Sequence, residues 1–214
     1  MQGIPLNERK RLGALLDDRP QTEVMAMIPQ FSQAETDNFV APPAQIPEAL
    51  GVLMFNMERG VNLPEIQEFL RDCPDIQPFD VILANELDDG CARSGNKNTA
   101  RELAQAFGLN YAWGLEFIEL VNDENAKGFH GNAVFSRWPI RRAGVIRLPE
   151  QYNWYFDRQK RIGGRLAVFA ELDVGGQPVG AVSIHLENRT HGEGRKAQMA
   201  AILEAVRKEL PDMP

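Results

Sequence analysis

Three apolar runs, each breaking off at a polar residue, alternate with two amphipathic stretches. This order constrains the fold more than any other feature of the chain. "LGVLMFNM" (50–57), "FDVILANEL" (79–87) and "NYAWGLEFIEL" (110–120) read as buried strands, with Val81, Ile82, Leu83 and Ala84 apolar on both faces. Between them, "NLPEIQEFLRDC" (62–73) reads as a helix that Asn62 caps, with Pro64 in its first turn and Ile66, Phe69 and Leu70 on one face. "NTARELAQAFG" (98–108) reads as a second helix. Thr99 and Glu102 are placed as a capping box, and Gly108 suits a left-handed stop.

The later part looks antiparallel. "GNAVFSRWPI" (131–140) is a strand ended by Pro139. "RLAVFAELDV" (165–174) alternates and turns through Gly175 and Gly176 into "PVGAVSIHL" (178–186). A helix over 194–210 follows, with Met199, Ile202, Leu203, Val206 and Leu210 on one side. A βαβαβ order followed by hairpin strands and a helix predicts an α/β (α+β) fold, a mixed-sheet sandwich with helices outside. Residues 1–48 differ: six prolines break their short apolar runs, so a helix over 8–17 and a wrapping arm are expected there, with the domain proper at 49–214.

Composition excludes some classes. No run approaches the roughly 18 apolar residues of a membrane helix, and the N-terminus lacks the apolar centre of a signal peptide, so a cytoplasmic location is the default expectation. Cys73 and Cys91 make no zinc-type pair or disulfide framework and read as reduced packing residues. Net charge is −7, yet residues 137–165 hold eight Arg and Lys against Glu150 and Asp157. Such a segment marks either a phosphate-facing surface or an ordinary solvated loop. The expected loop 141–164 carries Tyr152, Trp154, Tyr155 and Phe156, which either contact a substrate or pack on the loop's own base.

Four polar residues stand at or near strand ends: Asn56, Glu86, Asn132 and His185. Strand ends are where a rigid sheet fixes side chains for a site. Glu86 suits a hard cation, which takes oxygen ligands, and His185 could hydrogen-bond a phosphoryl oxygen or move a proton. Arg165 could clamp a phosphate through its planar fork. Each has a plain alternative. Glu86 could cap a helix or pair with Arg93, Asn56 could hold a turn, His185 could be a satisfied core histidine, and Arg165 could be an exposed strand residue. Asp88 and Asp89 read as loop or supporting residues. His130 and His191 read as loop histidines, with no zinc-ligand spacing.

Taken in order, "LMFN", "VILANE", "GNAVFSRWPI", "GGRLAVFAEL" and "SIHLEN" resemble the endonuclease/exonuclease/phosphatase superfamily, with the fold of pancreatic deoxyribonuclease. Arg195 and Gln198 in the helix after "SIHLEN" agree with that pattern, and the resemblance spans residues 50–198. It implies a four-layer sandwich and a phosphoester hydrolase dependent on Mg²⁺ or Mn²⁺. Glu86 would bind the metal, with help from Glu58. Asn56 would organise the same pocket, and Arg165 and His185 would contact the scissile phosphate. Asn132 and Ser136 would support strand and loop. Substrates in the family include nucleic acid, phosphoinositides and other phospholipid head groups.

The family pattern continues to a Gly-Asp-x-Asn and a final Ser-Asp-His. Neither occurs here, and "DEN" at 123–125 lies too early to replace the first. The expectation is therefore a C-terminally truncated domain that needs its missing half and is inactive alone. The alternative is a non-catalytic interaction module with a degenerate phosphoesterase fold.

Overall fold

The computed structural model describes residues 1–214. The elements are α1 (Leu6–Leu15), α2 (Gln21–Ala26), β1 (Ala34–Asp37), β2 (Val52–Arg59), α3 (Leu63–Asp72), β3 (Val81–Asp89), α4 (Thr99–Phe107), β4 (Asn110–Glu119) and β5 (Phe129–Ser136). Then come β6 (Ile140–Arg147), β7 (Arg161–Gly163), β8 (Leu166–Val174), β9 (Gln177–Ile184) and α5 (Gly192–Glu209). None of these helices is long and apolar enough to cross a membrane.

The first sheet runs β1-β4-β5-β3-β2, with β7 on the end of β4; β2 and β3 are parallel and the other pairs antiparallel. The second sheet is the antiparallel β6-β8-β9. Leu166, Val168, Ala170 and Leu172 of β8 pack with Ala112 and Val134 between the sheets. Gly114 of β4 makes that approach possible: a Cβ there would come within 2.6 Å of Val145. On the far side of the first sheet, Leu70 of α3 and Leu103 of α4 pack with Ile82, Tyr111 and Phe135. On the far side of the second, Ile202 of α5 packs with Ala167 and Phe169. The result is four layers, helix–sheet–sheet–helix, an α/β (α+β) sandwich.

Several expectations change in detail. Asn98, not Thr99, caps α4 by accepting from the Arg101 N–H at 2.8 Å, while the Thr99 hydroxyl donates to the Asp88 carbonyl. Asn takes the cap because its amide oxygen reaches the open N–H groups one residue earlier. The arm does not sit apart either. Leu12, Leu16, Val24, Ile28 and Phe31 join the main core, and β1 pairs with β4, because the outer edge of β4 and its apolar face need cover.

The expected loop 141–164 is largely structured, since residues 140–147 form β6. Trp154 and Tyr155 are buried, and only Phe156 among its four aromatics is exposed. Nor is the basic segment a free cationic face. Arg141 pairs with Asp173, Arg142 with Glu209, Arg161 with Glu119, and Arg165 with Glu116 and Glu187.

Sheet two ends at β9, which lies across β3: the Ser183 hydroxyl donates to the Ala84 carbonyl, and the Asn85 amide to the Ile184 carbonyl. β2 overhangs this edge. Val52 and Met54, on one face of β2, are 59% and 74% exposed. Phe55, on the other face, stacks on Phe69 of α3.

Candidate active site

All residues of β4 and β5 are buried, yet these strands carry Glu116, Glu119, His130 and Asn132. Buried polar groups persist only when paired. Two β-bulges direct the pairing. In β4 the register slips between Leu115 and Phe117, leaving Glu116 as the extra residue. In β3 it slips between Ala84 and Leu87, so that Asn85 and Glu86 together oppose Asn132. Glu86 takes a left-handed backbone (φ +58°), and its N–H donates to the Asn132 side-chain oxygen at 3.1 Å. A non-glycine residue in that region costs about 1–3 kcal/mol and persists only where its surroundings hold it. Ser136, at the end of β5, accepts from the Trp138 N–H at 2.9 Å.

The bulges turn Glu86 and Glu116 toward His185, which follows β9. His185 Nε2 lies 3.9 Å from Glu86 Oε1, and its Nδ1 lies 3.7 Å from Glu116 Oε2. Arg165 Nη1 is 3.0 Å from His185 Nδ1. A guanidinium only donates, so this contact makes Nδ1 the acceptor and leaves the neutral ring's proton on Nε2, the nitrogen nearer Glu86. Arg165 Nη1 also donates to Glu116 at 3.0 Å, and its Nε to Glu187 at 3.3 Å, leaving Nη2 as the one nitrogen without an interior partner. The guanidinium lies over the rings of Phe117 and Trp154, at 5.5 and 5.4 Å. Trp154 in turn donates to Glu187 at 2.8 Å.

Burial would raise the Glu116 carboxyl, but the charge of Arg165 beside it holds its pKa down to about 2. A second buried cluster continues outward. Arg93 donates two hydrogen bonds to Asp88, at 2.7 and 2.8 Å, and lies 3.0 Å from Glu119. His130 Nδ1 sits 2.9 Å from Asp88, and its Nε2 lies 3.8 Å from Glu116. Burial raises Asp88, but hydrogen bonds from Arg93 and His130 overcome it and hold its pKa at about 2.

The structure thus brings Glu86, His185 and Arg165 together, with Asn132 beneath the bulge. Asn56 and Glu58 stand on β2, exposed; the Asn56 side-chain oxygen accepts from the Glu58 N–H at 2.9 Å, closing a turn in which Glu58 and Arg59 are left-handed (φ +46° and +68°). Glu116 was not singled out from the sequence, although a glutamate inside an apolar run is itself a signal of a buried partner. His130 is not a loop histidine: β5 starts at Phe129, two residues before the expected start, and buries the imidazole. Asp88 likewise lies within β3 at 0% exposure rather than in a loop.

No three His, Cys, Asp or Glu side chains gather as a metal cage. Glu86 nonetheless fits a site with a single protein carboxylate. Its side chain is 24% exposed, has no cation closer than His185 at 3.9 Å, and sits on a backbone held out of its ordinary range. Mg²⁺ is commonly held by one or two carboxylates, with water and phosphate oxygens completing its shell.

No model of a known protein family matches the sequence, and no curated protein does. Solved structures do match. An endonuclease/exonuclease/phosphatase from Beutenbergia cavernae is 21% identical at a TM-score of 0.53, over 72% of this chain and 43% of that one. The human Nocturnin catalytic domain, solved with a bound sulfate anion, is 19% identical at a TM-score of 0.51, over 84% of this chain and 63% of that one. This chain has the fold of the endonuclease/exonuclease/phosphatase superfamily and spans less than two thirds of the length of either structure.

Proposed function

We propose that this chain carries part of the domain of a metal-dependent phosphoester hydrolase, with its reacting phosphate between Glu86 and His185. The convergence of a partly exposed carboxylate on a strained bulge and an oriented imidazole 3.9 Å from it carries this reading. Glu86 would hold Mg²⁺ or Mn²⁺, with Glu58 assisting and Asn56, which pairs in register with Asn85, organising the same pocket. The metal, when bound, would polarise the phosphoryl group. His185 would present its Nε2 proton to a phosphoryl oxygen. Arg165 acts mainly as a positioning residue, since it fixes His185 and Glu116, and only Nη2 is free for the phosphate itself. Glu116 keeps Arg165 and the imidazole in register, and Asn132 holds Glu86 in place.

The domain would be completed by a segment that adds strands at the open edges of β2 and β9 and supplies the Asp-x-Asn and Asp-His missing here. The substrate class extends no further than a phosphate ester, whether in nucleic acid, a phosphoinositide or another phospholipid head group.

The test is a calorimetric titration of Mg²⁺ and Mn²⁺ into the chain. One site should appear and be lost in Glu86→Gln, while phosphodiester turnover by the chain alone stays at background. Robust turnover abolished by Glu86→Gln would overturn the incompleteness; absence of any Glu86-dependent metal binding would overturn the hydrolase reading. The latter result would favour a non-catalytic interaction module, a reading supported by the missing Gly-Asp-x-Asn and Ser-Asp-His motifs.

A further inference from the structure

A cavity of about 290 Å³ opens between the N-terminal arm and the segments around Leu148 and Gly164. Asn56, Glu86 and His185 do not line it; Arg165 is the one proposed site residue that does. Its size is near the lower end of small-molecule sites, about 300 Å³ and upward. Met25, Ile28 and Phe31 from the arm and Leu148 from the facing segment give it apolar walls.

One cationic lining residue lacks a carboxylate partner. Arg147 lies over the Phe31 ring at 5.2 Å and donates to the carbonyls of Leu115 and Gly164. It has no carboxylate within 4.0 Å, whereas its neighbours Arg161 and Arg165 are both ion-paired. Its Nε is buried with no acceptor. Burial pushes its pKa down to about 10, which leaves it cationic at neutral pH. A guanidinium without an ion pair beside apolar cavity walls points to a ligand of opposite charge. Glu150 also lines the cavity but makes no ion pair with Arg147, and burial raises its pKa. Arg165, the other cation of the lining, is already paired with Glu116 and Glu187, so one uncommitted guanidinium faces the ligand, and that suits a monoanion better than a phosphate dianion.

We propose that this cavity binds a small organic carboxylate, its apolar body against Met25, Ile28, Phe31 and Leu148 and its carboxylate on Arg147. The site adjoins the proposed hydrolytic centre through Arg165 but is lined by none of Asn56, Glu86 and His185, and it gives the arm a function beyond covering the β4 edge.

The experiment titrates octanoate and octan-1-ol into the full chain by calorimetry. Octanoate should bind at least about tenfold more tightly, the worth of one charge-assisted hydrogen bond. Arg147→Gln should erase that preference. Gly164→Leu should abolish octanoate binding, because a Cβ at Gly164 meets no atom within 4 Å and a longer side chain enters the open space. Glu150→Gln should bind octanoate as tightly as the parent or more so. Unfolding curves establish that each variant folds; if Arg147→Gln does not, Gly164→Leu decides. Equal affinity for the acid and the alcohol overturns the proposal, as do octanoate binding that survives Gly164→Leu and octanoate that binds neither the parent nor Glu150→Gln.

Discussion

Around His185 the buried charges answer one another; along β2, at the other side of the bulged β3, apolar side chains face solvent. Glu116, Glu187 and Arg165 are each less than 8% exposed, with both carboxylates paired to the guanidinium, and Asp88 paired with Arg93 and His130 repeats the pattern outward. Val52 and Met54 have nothing over them, because the second sheet stops at β9. The two regions are built from the same kind of strand. They differ in whether the opposite sheet reaches them. The contrast teaches that buried charges are held in place by pairing where the two sheets face each other, while the face of β2 that the second sheet does not reach stays exposed.

The largest effect should come from removing a charge on the closed side. Glu116→Ala leaves the Arg165 guanidinium without its closest carboxylate and should cost about 3–5 kcal/mol in denaturant unfolding. A loss below about 1 kcal/mol, the range of exposed pairs, would break the comparison. Acid should act on the same region. Glu116 and Asp88 are both held at about 2, below their ordinary values of 4.5 and 3.8. Groups lowered in the folded state stabilise it above their unfolded pKa, so stability should be full above about pH 5 and fall progressively toward pH 2. A thermal midpoint flat across that window would contradict the assigned pairs.

A smaller effect is expected at the joint between the two regions. Asn132→Ala removes the acceptor for the Glu86 N–H and should cost about 1–3 kcal/mol, the penalty of a buried group left unpaired. Its imidazole readout is sharper: the His185 resonances should move with little change at His191. Unmoved His185 resonances would separate the bulge from the site. The smallest stability effect belongs to the open side. Met54→Lys should change unfolding by no more than about 0.5 kcal/mol. It should, however, reduce self-association in light scattering, because an exposed apolar edge strand promotes pairing between chains. A loss of several kcal/mol there would mean that Met54 is covered after all.

Much of this molecule is legible in the sequence. Periodicity located the strands around Asn56, Glu86 and His185 to within a few residues, since a strand buried on both faces leaves a continuous apolar run. The cap of α4 was misassigned by one residue, where Asn98 and Thr99 are both competent caps and only backbone direction chooses between them. Glu116 and His130 were harder. Glu116 depends on a bulge that re-aims one residue of a ten-residue strand, and His130 on where β5 begins. The basic segment misled for a related reason: its carboxylate partners, such as Glu116, Glu119, Glu187 and Glu209, are far away in sequence and are supplied only when the sheets and α5 close on it.

By itself, then, the sequence determined the alternation of strands and helices and the residues standing at strand ends, because apolar period and turn chemistry are local properties. Only the tertiary structure decided which of those residues meet, that Arg165 orients His185 from the interior, that the arm closes a cavity over Arg147, and that β2 is left bare. Those outcomes depend on register, bulges and the reach of one sheet over the other, and these follow from contacts between segments far apart in the chain, such as Asn85 with Ile184 (a separation of 99) and Gln21 with Gly163 (a separation of 142).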